Sequence, residues 1–378
     1  MKAPLISRAA GPLLRPACAA CARTGGAGMS VDALVAGAHF LESGAAGLRY
    51  WDLHVFLLVP SAWLLTSGAP SLLSRDAAPL TRAASFNYLA FILCIAVAQA
   101  FIWDSVGAEI GIWQFNPLKC TGLGARSALP LEEVLWLFHH VVKAALWQLK
   151  VHEASWLAAD RRPAPMDPRL REAGNYALAA LGVGGAWALQ GDVDSLKCLG
   201  LVAAFFAPVM GIIYNLGGRY FRSHLKLFLA GWAVPGLWTV GVDCLGQQQD
   251  VWWFPPKFLS GIAACDGWLK LDIALVYLVS TFAVTATGAI ILAAADELTA
   301  QRRAAAEGEG EGVAGEAGVG EHGAEEPGVA DLGIFIFDNA FPGSGRKLAE
   351  AGRAAADAIE GFWPPQKRAP RRDLPDLG

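Results

Sequence analysis

The sequence predicts an all-α membrane protein of about seven transmembrane helices, built as two parallel three-helix repeats with a connecting helix. Three observations carry this. Of 378 residues, 54% are hydrophobic and only 17% are charged, and the mean hydropathy is +0.38; a soluble domain of this size carries more charge. Apolar runs of membrane length recur between polar loops. One loop also repeats: "WDSVGAEIGIWQFNPLKCTG" over "VDCLGQQQDVWWFPPKFLSG" aligns Asp104 with Asp243, Trp113 with Trp252, Phe115 with Phe254, Pro117 with Pro256 and Gly122 with Gly261, always 139 residues apart (243 − 104).

The elements follow in order. The first 28 residues contain Lys2, Arg8, Arg15 and Arg23, no acid and much alanine. That composition suits an organelle transit peptide, the alternative being a plain disordered terminus or a start at Met29. The apolar runs then predict helices near Tyr50–Ser67, Phe86–Trp103, Pro130–Leu149, Asn175–Leu189, Leu196–Leu216, His224–Val242 and Trp268–Ala295. Helices one to three form a unit over residues 49–150, and helices five to seven a second over 195–296. Three crossings would leave the second unit inverted. Helix four, within 151–194, restores its direction, so the units run parallel and both acidic mouths open on one side. Beyond Asp296, residues 297–378 turn low-complexity, acidic and Gly-rich, the composition of a disordered tail. The apolar patch "LGIFIFDNAF" within it reads as a membrane-surface segment. Arginines crowd the loops after helices one, three and five, so the C-terminus is expected on the cytosolic or stromal side.

Composition also excludes. A net charge of −4 gives no basic field for nucleic acid. Seven scattered cysteines make no disulfide framework, and the Cys18–Cys21 pair lacks the second pair a metal site needs. No metal is expected.

The chemistry-bearing residues are few. Asp104, Glu132 and Glu133 belong to one unit, Asp243 and Asp272 to the other, each read as lying at a helix end on the same membrane side. At helix spacing Glu132, Trp136, His139 and Lys143 share one face, and Glu133, Leu137 and His140 another. A carboxyl group in apolar surroundings tends to keep its proton, and a second one close by strengthens the tendency. That is how a general acid is made at neutral pH. Trp113, Phe115, Trp136, Trp252 and Phe254 crowd the same regions, and aromatic faces attract cations. Protonatable carboxyls with aromatic walls suit carbocation chemistry on a hydrophobic alkene. The structural alternatives are a helix cap for Glu133, an interfacial belt for Trp103 and Trp268, hydrogen bonding within the bundle for His139 and His140, and snorkelling for Lys143.

"WDSVGAEIGIWQFNP…LPLEEVLWLF" resembles the first repeat of the integral-membrane lycopene cyclases, the bacterial two-subunit, archaeal and fungal bifunctional type. "LDIALVYLVST" is similar to the second repeat, and "WDLHVFLLVPSAWLL" to the opening helix; together the likeness covers about residues 49–296. The sequence departs from the family where Asp272 stands for the first Glu of the second repeat, Ile273 follows it, and His139 and His140 enter helix three. The resemblance implies protonation of the end double bond of a linear carotenoid, ring closure on the tertiary cation, and loss of a neighbouring proton. It implies Glu132 as the acid and Glu133 as its partner or the base. It makes Asp104, Asp243 and Asp272 orienting groups or bases, and Trp113, Phe115, Trp136, His139, Trp252 and Phe254 the substrate-binding set. No Rossmann fingerprint occurs, so no nucleotide cofactor is expected. Partners are membrane lipid and the carotenoid, with a homo-oligomer or a complex with other carotenoid enzymes left open. A plastid membrane is expected for a eukaryotic source, the cell membrane otherwise. The competing classes are a proton-coupled carrier and a non-catalytic carotenoid-binding protein. A retinal protein is disfavoured, since helix seven carries only Lys270, at its mouth; a membrane prenyltransferase is too, since no Asp-rich Mg²⁺ motif occurs.

Overall fold

In hydrocarbon every backbone N–H and C=O must be bonded internally, which favours helices. The computed structural model describes residues 47–66, 70–126, 129–154, 163–310 and 329–340, most of them helical. The expected transit peptide, the Cys18–Cys21 pair and much of the Gly/Glu-rich tail lie outside the described residues.

The helices are α1 (Tyr50–Thr66), α2 (Pro79–Ile110, continuous through a π-helical turn at Ala100–Asp104), α3 (Leu131–His152), α4 (Pro168–Gln190), α5 (Lys197–Phe221), α6 (Leu225–Gln248), α7 (Leu271–Gly310) and α8 (Val329–Ala340). Among the described residues four helical stretches are long and apolar enough to cross a membrane: Pro79–Ile110, Asp194–Phe221, Leu225–Gln248 and Leu271–Ala305. Helix α1, at 17 residues, sits at the lower limit of length. Helices α3 and α4 carry more polar side chains, which α3 turns into the bundle.

Two boundaries differ from expectation with consequences for the site. Helix α2 runs on to Ile110 and α6 to Gln248. Asp104 and Asp243 therefore lie inside helices, not at their ends. Both are buried in a polar and aromatic cluster, so the acid does not need the solvent that a helix end would provide.

Helices α3 and α7 occupy the middle. Helix α3 packs against α1, α2, α6 and α7, and α7 against α2, α3, α5 and α6. The loops following α2 and α6 are built alike. Gly111 and Asp250 both take positive φ (83° and 51°), as do Gly122 and Gly261 (80° and 81°); each pair is 139 apart. The Ile112 amide donates to Gly107 O at 2.8 Å, and the Val251 amide to Gly246 O at 3.0 Å. A side chain on Gly107 would meet the Trp113 ring at 2.0 Å, and one on Gly246 the Trp252 ring at 2.2 Å. Both tryptophans thus lie flat where only glycine leaves room. The two loops are joined by an antiparallel pair of two-residue strands, Gln114–Phe115 against Trp252–Trp253. In it Gln114 faces Trp253, 139 residues on (253 − 114).

The C-terminal region departs from the expected unstructured tail. Helix α7 continues to Gly310. Helix α8 then buries Leu332 and Ile336 in a core cluster with Ile213, Tyr220, Ala289 and Ile290. Its apolar residues at i and i+4 form one face, and that face meets the bundle.

Candidate active site

Pro130 precedes α3 and Glu132 and Glu133 fill its first turn, where carboxylates complement the helix dipole. Successive helical residues point about 100° apart, so the adjacent glutamates diverge. Glu132 is fully buried but turns to the preceding loop, where its Oε1 accepts the Thr121 amide at 2.5 Å. Asp272 does the same on α7, accepting the Ser260 amide at 3.1 Å and the Ser260 hydroxyl at 2.7 Å. Both acids clamp a loop to a helix mouth. Glu133 points elsewhere and accepts a hydrogen bond from the Tyr50 hydroxyl.

Glu133 lines a chamber in the bundle with Asp104, Trp113, Phe115, Trp252, Phe254 and Tyr277. The void is small, about 30 Å³, room for a water molecule. Its walls come in matched pairs from the two halves: Trp113 with Trp252, Phe115 with Phe254, Leu137 with Tyr277, Glu133 with Ile273. Trp136 stands behind the wall, its ring 5.3 Å from Trp252 and 6.3 Å from Tyr50.

The two aspartates differ. The Asp243 carboxylate accepts from Trp252 Nε1 at 2.9 Å, Gln247 Nε2 at 2.7 Å and the Tyr277 hydroxyl at 3.2 Å. Three donors satisfy a charged carboxylate. Trp113 Nε1 instead donates to the Asp104 backbone carbonyl at 3.2 Å, and Asp104 Oδ2 is buried without a hydrogen-bond partner.

Behind the chamber lies a second polar group. His140 Nδ1 is 3.0 Å from Thr239 Oγ1, and Lys143 Nζ donates to Thr239 Oγ1 at 2.5 Å and to Pro235 O at 3.2 Å. Lys143 is only 3% exposed, so it does not snorkel to an interface. It joins His140, not the face of Glu132 assigned from spacing. His140 Nε2 reaches Ser280 Oγ at 3.4 Å, and Ser280 lines the chamber. His139 turns the other way, its Nδ1 2.8 Å from His54 Nδ1.

Gln99 and Ser280 also line a neighbouring groove of about 390 Å³, walled by apolar residues of α2, α5, α7 and α8. Chamber and groove therefore meet at these two side chains.

Of the residues singled out in the sequence, Asp104, Glu133, Trp113, Phe115, Trp252 and Phe254 come together around the chamber. Asp243 touches it through Trp252 and Tyr277, and Trp136 through ring contacts. Glu132, Asp272 and His139 do not line it. Trp103, expected at the interface, is buried in the chamber wall against Trp113 and Phe206. Sequence reasoning missed Tyr50, Gln99, Tyr277 and Ser280. A signal existed for Tyr277: at the offset of 140 that matches Glu132 to Asp272, it is the counterpart of Leu137.

The sequence is 27% identical to proteins named lycopene beta-cyclase from two strains of Halobacterium salinarum, over 172 residues, 45% of this chain and 68% of each relative. No family model matches the chain, and no solved structure matches it.

Proposed function

We propose that this chain, 27% identical over 172 residues to proteins named lycopene beta-cyclase, closes the linear ends of lycopene, or a related linear carotenoid, into β-rings by acid-catalysed, redox-neutral isomerisation. The observation that carries the reading is a carboxyl pair, Asp104 and Glu133, on an aromatic chamber that shares Gln99 and Ser280 with an adjoining apolar groove. Two carboxyls in one apolar chamber keep a proton between them, since ionising both would set like charges side by side. Glu133, with Asp104 as its partner, donates that proton to the end double bond. The tertiary cation is attacked by the next double bond and a six-membered ring closes. The faces of Trp113, Trp252, Phe115 and Phe254 stabilise the positive charge. The neighbouring proton then leaves to Tyr277, whose hydroxyl passes its own proton to the Asp243 carboxylate it contacts. One proton enters and one leaves, so no cofactor is consumed. Glu132 and Asp272 hold the loops that form the chamber roof.

The bundle is read as two parallel three-helix repeats, residues 49–150 and 195–296, with 151–194 connecting them and seven helices crossing the membrane. An antiparallel ladder is locally two-fold symmetric, and the pairing of Gln114 with its own counterpart Trp253 supports an axis through that point. The matched backbone turns, glycine seats and loop clamps support the same reading. Residues 1–28 are read as a transit peptide to a plastid membrane. The apolar groove favours a lipid-borne substrate over a carrier, which needs a polar path through the membrane. A water-sized chamber must widen to admit an end group, so the aromatic side chains swing on binding.

The test is pigment analysis after expression in a lycopene-accumulating bacterium. Cyclic carotenoid supports the reading. Unchanged lycopene, with protein present in the membrane, rejects it.

A further inference from the structure

The groove beside the chamber is closed on one side by the C-terminal helix, which lies beyond the cyclase-like part of the sequence. We infer that α8 is a wall of the polyene-binding groove and that Gly333 determines how much chain the groove accepts. The inference rests on the cyclase reading for the identity of the ligand, and on the geometry of α8 for the rest.

Gly333 and Ile336 both line the groove. Leu332 and Ile336 anchor the helix in the core cluster with Ile213 and Ile290. Asp331 Oδ2 pairs with Arg302 on α7 at 3.2 Å, which fixes the start of α8 against the extension of α7. A side chain built on Gly333 would meet no atom within 4 Å. The wall is therefore notched at this position, and the notch faces open space inside a helix where glycine costs about 1 kcal/mol relative to alanine. Nothing in the local packing requires glycine here. An unobstructed path for a ligand does.

The length of the groove gives the notch a purpose. Along α7 its lining runs from Ser280, shared with the chamber, to Ile291, a rise of about 16 Å at 1.5 Å per residue. An extended forty-carbon polyene is on the order of 30 Å, comparable to the hydrocarbon core of a bilayer. With one end in the chamber, about half of the chain fits before α8 is reached. The rest must pass the helix, and Gly333 is where it passes.

The test uses the full chain, purified in detergent with lycopene, with bound pigment per protein read by absorbance and ring formation read by chromatography. Gly333→Phe fills the notch and should lower bound lycopene at least about tenfold, the scale of discrimination that pocket shape provides, with thermal stability kept. A linear polyene short enough to end before α8 should bind as well as to the wild type. Gly333→Leu repeats the test with a smaller plug should the phenylalanine variant not accumulate. If either variant folds and retains lycopene like the wild type, or the wild type itself retains none, the inference is overturned. Binding lost in the variant, with no ring formed even by the wild type, would uphold the groove assignment while rejecting the cyclase reading.

Discussion

Substituting Glu132 and Glu133 one at a time by glutamine should have opposite consequences, although the two are neighbours in sequence and both are buried. Glu132→Gln keeps an oxygen to accept the Thr121 amide, now at 2.5 Å from Oε1. It loses the charge assistance of that bond, about 1 kcal/mol. It also puts an amide group where Oε2 is buried without a partner, costing about 1–3 kcal/mol. The total, about 2–4 kcal/mol, falls on the loop and on folding. Glu133→Gln keeps an acceptor for the Tyr50 hydroxyl, so folding should change by about 1 kcal/mol or less. It removes the proton that starts the reaction, and cyclisation should fall by about 10²–10⁴-fold, roughly 3–5 kcal/mol on the barrier. The assay is the ratio of cyclic to linear carotenoid in a lycopene-accumulating host, normalised to membrane-inserted protein, with melting temperature measured in detergent. A stable Glu132→Gln variant that forms no ring, or a Glu133→Gln variant as active as the wild type, would refute the assignment of roles.

Three further outcomes follow from the same geometry. Tyr277→Phe removes the hydroxyl that joins the chamber to Asp243 and leaves that carboxylate two donors, so turnover should drop about 10²-fold or more while the protein melts within a few degrees of the wild type; unchanged turnover sinks the relay. Gly107→Ala would set a methyl 2.0 Å from the Trp113 ring, and Gly246→Ala one 2.2 Å from Trp252; each should lower stability by about 1–3 kcal/mol and alter tryptophan fluorescence, and a silent pair would show that the indoles are not seated there. Lys143→Met fills the same volume without a buried charge and should be neutral or stabilising, whereas Thr239→Val strips the ammonium of one of its two partners and should cost about 1–3 kcal/mol; unfolding in detergent that ranks the two the other way round would argue that the lysine head finds other partners.

The apolar runs were legible because a membrane helix must be apolar for most of its length, and the loop repeat because its tryptophans, prolines and glycines are rare residues in fixed register. The division of labour between Glu132 and Glu133 was not legible. Which of two adjacent residues faces the chamber is set by the rotation of α3 about its axis, and that rotation is fixed by packing against four other helices. Spacing put Lys143 with Glu132, about three turns away, but its long side chain reaches the Thr239 hydroxyl that His140 also contacts, a partner on another helix that spacing alone does not show. Tyr50 escaped notice because one phenol at a helix start, between Arg49 and Trp51, carries no pattern. Helix α8 escaped because twelve residues with an apolar stripe read equally well as an interfacial helix; only the contacts of Leu332 and Ile336 distinguish the two.

The chamber walls are doubled but its acid is not: where one half offers Glu133, the other offers Ile273. Lycopene has two identical ends, which a fully symmetric protein would serve at equivalent seats. A single seat, on the proposed reading, serves a molecule that must present itself twice. On the proposed reading, the one-ringed compound leaves into the bilayer, turns round and competes with fresh substrate for re-entry. The balance between one-ringed and two-ringed pigment is then governed by the membrane's stock of linear carotenoid, and the presence of Ile273 where a second glutamate would make the seats equivalent becomes a control over pigment composition.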